Sequence, residues 1–105
     1  MSESSFLTGS RAYGAPRPDS DIDLVMLADG ATFQTLAMAA SKAEFFANGG
    51  CSIRFGLLNI IGVTRQDEFA KWKAGTEHLK TVAPVTRTTA VEYLTGLGLT
   101  NQVSG

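Results

Sequence analysis

A chain of 105 residues, 44% hydrophobic and 18% charged, has the substance for one globular core, not two, and does not have the makeup of a disordered polypeptide. A formal net charge of -1 argues against gripping long duplex nucleic acid by bulk electrostatics and favours a small nucleotide or a short segment of another macromolecule. Cys51 is the only cysteine, no apolar run approaches the ~20 residues of a membrane span, and the polar start Met1-Ser2-Glu3-Ser4-Ser5 is no secretory signal, so the expectation is a reducing cytoplasm without membrane contact.

A short apolar strand begins at Phe6 and stops at Gly9. Ser10 opens a brief helix or turn that Gly14, Pro16 and Pro18 end. Residues 21–27 read as a buried strand, since Ile22, Leu24, Val25, Met26 and Leu27 are all apolar. Asp29-Gly30 makes a turn. A helix is then predicted over 31–48, with Phe33, Leu36, Ala40, Ala43 and Ala47 on one face and Gly49-Gly50 as its cap. Residues 51–64 read as β, either one bent strand or a hairpin turning near Gly56-Leu57. Thr64 and Asp67 have the spacing of a capping box, ahead of a helix over 65–80 whose inner face carries Phe69, Trp72 and Leu79. Pro84 breaks the chain, and a last helix starts near Thr86 or Thr88 with Val91, Leu94 and Leu97. Residues 1–5 and 98–105 read as frayed tails of one domain spanning 1–105. The fold class is α/β (α+β): a small mixed sheet with helices packed mainly on one face.

Chemistry concentrates between Gly9 and Asp23. The first N–H groups of a helix lack intrahelical partners and carry the positive end of its dipole, which suits phosphate. Gly9 lets a ligand approach the backbone, Ser10 offers a hydroxyl, and Arg11 and Arg17 lie close enough in sequence to pair with a phosphate chain. Asp21 and Asp23, two apart on a strand, share one face. Two carboxylates with phosphate oxygens are typical ligands of Mg2+ or Mn2+.

The run Gly9-Ser10, ten residues, Asp21-Ile22-Asp23 resembles the signature of the polymerase-β-like nucleotidyltransferases, most closely their minimal single-domain members. The resemblance covers residues 6–27, about a fifth of the chain, and continues beyond as element order. It implies transfer of a nucleoside monophosphate from a nucleoside triphosphate to an acceptor hydroxyl. Gly9, Ser10, Arg11 and Arg17 would hold the nucleotide, with Asp21 and Asp23 catalytic and metal-binding. The spacing is similar to that of nucleotidyltransferase antitoxins, so a protein acceptor such as a toxin partner is implied.

The chain departs from the family pattern twice. Relatives carry a third carboxylate on the next strand, where this sequence has Asn59, which can offer a metal its oxygen but cannot take a proton. Relatives also commonly have a helix before the first strand, whereas five residues precede Phe6. The uncovered apolar surface predicts a homodimer or a partner complex, with Leu94 and Leu97 at or near the contact. Both departures favour the alternative reading, a non-catalytic nucleotide-binding or antitoxin-like module. Among other residues, His78 reads as surface, Trp72 as core, Cys51 as a small buried residue, and Lys71, Lys73 and Lys80 as a solvated strip.

Overall fold

The computed structural model describes residues 4–47, 49–82 and 85–99, except the side chain of Arg87. The elements in order are β1 (Ser5–Thr8), α1 (Ser10–Tyr13), β2 (Ile22–Leu27), α2 (Gly30–Ala39), β3 (Lys42–Phe45), β4 (Cys51–Phe55), β5 (Leu58–Val63), α3 (Gln66–Thr81) and α4 (Arg87–Gly96). The strands form one sheet in the order β1-β2-β5-β4-β3. Only the central pair, β2 with β5, is parallel; the other three pairs are antiparallel.

Strand alternation divides the apolar residues between two faces. Val25, Ile61 and Val63 point to the face covered by α3 and α4, where they join Phe69, Trp72, Leu79, Ala90, Leu94 and Leu99. Ile53, Cys51 and Ile60 point to the opposite face and pack under Phe33 of α2. The helices therefore lie mainly on one face, with α2 alone on the other. Among the described residues no helix is long and apolar enough to cross a membrane.

Several expectations need correcting. The helix predicted over 31–48 ends at Ala39, and Lys42–Phe45 is an antiparallel strand on β4. The alanine periodicity suits either state, and pairing decides: without β3, the strand Cys51–Phe55 would be the sheet's edge. Phe46 N–H donates to the Gly50 carbonyl at 2.8 Å and Gly49 N–H to the Phe46 carbonyl at 3.1 Å, so the glycines serve a hairpin and not a helix cap. Residues 51–64 resolve to the hairpin, with Gly56 at φ +60, a region glycine enters without penalty.

The capping box does not form. Arg65 is the N-cap of α3, without a side-chain cap bond, and its guanidinium grips Asp67 instead at 2.8 and 3.1 Å. Asp29 is the residue that caps, accepting from Thr32 N–H at 2.8 Å at the start of α2. At the last helix Thr86 does cap, accepting from Thr89 N–H. Ser5 belongs to β1, and Leu99 is a core residue, 3% exposed, so neither lies in a frayed tail. Pro84 and residues 100–105 lie outside the described residues. Leu94 is 3% exposed and packs within its own core, and Leu97 is half-buried against it. They are therefore taken up by the chain itself and do not form an open contact patch.

Candidate active site

Four strands and one tight turn build the site. β1 delivers Thr8, whose buried hydroxyl meets that of Thr76 on α3 at 2.8 Å, tying strand to helix. The next residue, Gly9, turns the chain with φ 75 and ψ -161. A Cβ there would run into Asp23 Oδ2, so the turn and the carboxylate are in direct contact and only glycine fits between them. The Gly9 carbonyl accepts from Ala12 and Tyr13 N–H at 2.9 and 3.1 Å, which winds the single turn of α1 and puts Ser10 and Arg11 at its leading edge. The Ser10 hydroxyl oxygen is buried with no hydrogen-bond partner inside the protein. Behind it, burial raises the Tyr13 phenol above its ordinary pKa; the Thr8 hydroxyl opposes this and the Asp23 charge adds to it.

Register carries the site across the sheet. Thr8 pairs with Asp23, Asp23 with Asn59, Asn59 with Arg54 and Arg54 with Lys42, one residue from each strand on the face that α3 covers. Asn59 Nδ2 donates to Asp23 Oδ1 at 3.2 Å, and its Oδ1 accepts from the Ser52 hydroxyl at 2.9 Å. A carboxylate only accepts, so the amide must turn its nitrogen to Asp23. Asp21 lies one residue before β2. Arg54 meets it with both terminal nitrogens, at 3.1 and 3.4 Å. Asp23 and Asn59 are buried, whereas the Asp21 and Arg54 side chains are 24% and 28% exposed and form the rim.

The motif implies a divalent ion beside Asp21 and Asp23. Asp21 and Asp23 can supply one ion with two carboxylates, the remaining ligands being phosphate and water oxygens. They do not supply a site with three anionic ligands: among the described residues no three His, Cys, Asp or Glu side chains come together. Asn59 stands in register with Asp23 but presents its N–H group there, with its oxygen on Ser52.

Arg11 and Arg17 have separate duties. The Arg11 guanidinium is bound to the carbonyls of Arg17, Pro18 and Ser20 at 2.9 to 3.3 Å and so braces the loop before Asp21. Arg17 is exposed, and its N–H donates to the Ser20 hydroxyl at 2.7 Å. His78 is exposed and stacks on Tyr93 with ring centroids 4.5 Å apart, Trp72 is core, and burial pushes the Cys51 thiol up to about 11. Arg54 and Ser52 were not foreseen from the sequence. The signal was available: a hairpin turn at Gly56-Leu57 places both on the Asn59 face by alternation.

The family model described as a nucleotidyltransferase domain matches residues 2–89. The chain belongs to that family. This nucleotidyltransferase domain is of the polymerase-β-like kind, with the mixed sheet the resemblance implies, and the family's general activity is nucleotidyl transfer. No curated protein and no solved structure matches the chain.

Proposed function

We propose that this nucleotidyltransferase domain binds a nucleoside triphosphate at Gly9 and Ser10 and transfers its nucleoside monophosphate to an acceptor hydroxyl, on a partner protein such as a toxin. The observation that carries the reading is the contact of Gly9 with the Asp23 carboxylate, which joins the phosphate-side turn to the carboxylate strand. The buried Ser10 hydroxyl, without a partner in the protein, suits a phosphate oxygen. Asp21 and Asp23 would hold one Mg2+ or Mn2+, which when bound screens the charge of the phosphates. The acceptor oxygen forms its bond to the α-phosphorus, the bond to the bridging oxygen breaks, and pyrophosphate leaves. Asn59 cannot take the acceptor's proton, which passes to water.

Two observations favour a second reading, a nucleotide-binding module without transfer. The third carboxylate position carries an amide locked between Ser52 and Asp23, and Asp21 is held by Arg54. One experiment separates the two. The chain is incubated with α-labelled triphosphates, Mg2+ or Mn2+, and proteins encoded beside it, while calorimetry follows nucleotide binding. Label on an acceptor, lost in Asp23→Asn, supports transfer. Binding without label supports the module, and no binding of any triphosphate overturns both.

A further inference from the structure

We propose that Arg54 is a phosphate-binding residue of this site, exchanging Asp21 for the phosphate chain of the nucleotide and relaxing the need for a divalent ion in binding. The inference rests on the nucleotide-binding reading above and adds a cation beside the carboxylates. Arg11, the arginine adjoining the Gly9-Ser10 turn, is occupied by three loop carbonyls. Arg54 sits at the rim, bound to Asp21 and, at 3.2 Å, to the Gly56 carbonyl, with Lys42 next to it in register on the same face. An anion entering from solvent therefore meets Arg54 before it meets the buried Asp23.

The chemistry favours exchange. The Arg54–Asp21 pair is partly open to solvent at the rim, where water can replace either partner as the pair exchanges. A phosphate carries more charge than one carboxylate and accepts the guanidinium fork through two oxygens. The neighbour across the strand pair matters as well. A carboxylate at position 59 would stand opposite Arg54 in register and hold it as a second anion. Asn59 does not, since its amide is committed to Ser52 and Asp23. Two carboxylates and one guanidinium leave the cluster with one formal negative charge, where a third carboxylate at position 59 would leave two. Lower repulsion and a resident cation both act in the direction of metal-independent phosphate binding.

The test is calorimetry of the full chain with ATP, GTP, CTP and UTP, each in Mg2+ and in EDTA, for wild type, Arg54→Gln, Arg54→Lys and the remote control Arg65→Gln. Thermal melts confirm that each variant is folded. The expected result is that wild type and Arg65→Gln keep affinity in EDTA within about tenfold of that in Mg2+. Arg54→Gln loses tenfold or more in EDTA, and Arg54→Lys recovers part of the loss. With Mn2+ alone, Arg54→Gln binds the ion more tightly than wild type, because Asp21 is released; that gain reports the Asp21 pairing, and the loss in EDTA reports the phosphate contact. Wild type that binds only with Mg2+, or an Arg54→Gln variant that matches wild type in EDTA, overturns the inference and leaves the nucleotide reading standing. Wild type that binds no triphosphate under either condition overturns both.

Discussion

Asp23 and Asn59 form a buried polar contact that can be probed one atom at a time. Asp23→Asn should lower transfer by more than about a hundredfold, beyond the 10–100-fold typical of outer-shell partners of a metal. The fold should persist, because an amide at position 23 can still accept from Asn59 through its oxygen. Asn59→Asp sets a second carboxylate against a buried one. That variant should melt below wild type in EDTA and gain more Tm on adding Mn2+ than wild type does, as thermal melts would show. An equal response to Mn2+ would mean position 59 does not face the ion. Cys51 supplies the pH expectation. Its thiol is pushed up to about 11 from an ordinary 9.0 by burial, so the unfolded chain releases that proton first. The stability it contributes is intact below the unfolded value and is lost as pH rises through about 11. Melts between pH 8 and 11 should show a decline that Cys51→Ala reduces.

Elements explain which parts of the site could be read in advance. Gly9, Ser10, Asp21 and Asp23 were legible because local rules place them: glycine at a turn, serine at a helix start, and carboxylates two apart at a strand. Asn59 was legible as a position, since the apolar run Leu58–Val63 surrounds it. Arg54 was not, because its role depends on a hairpin that the sequence left open against a bent strand. β3 was missed for a related reason: Lys42-Ala43-Glu44-Phe45 carries helix formers, and its strand state comes from pairing with β4 rather than from propensity. The Gly9-Ser10 turn gives the element-scale prediction. Gly9→Ala combines positive φ with a clash on Asp23, and the backbone part alone should cost about 1–3 kcal/mol of stability in chemical denaturation. Nucleotide affinity should fall as well, as titration would show.

At the scale of the whole molecule the question is where stability resides. Leu94 and Leu99 of the last helix and its tail complete the cluster built on Trp72, and Phe33 closes the opposite face over Cys51 and Ile60. Leu94→Ala should therefore destabilise by about 2–5 kcal/mol, with a loss that does not change with protein concentration. A concentration-dependent loss would return Leu94 to an interface between chains. On the other face, a Cβ at Gly62 would press against Phe33 and Cys51, and Gly62→Ala should cost about 1–3 kcal/mol by overpacking.

The parallel pairing of β2 with β5 also orders events in time. Asp23 and Asn59 meet across 36 positions of sequence, whereas β3, β4 and β5 join through short turns. Local hairpins close cheaply, and distant strands must first surrender the entropy of the loop between them. The hairpin segment should thus assemble early during folding, and the two halves of the site should come together only in the closing step. In stopped-flow refolding, fluorescence of a bound nucleotide analogue should lag the gain of β-signal in the far ultraviolet. Under the proposed function, the ability to bind nucleotide would mark a chain that has finished folding.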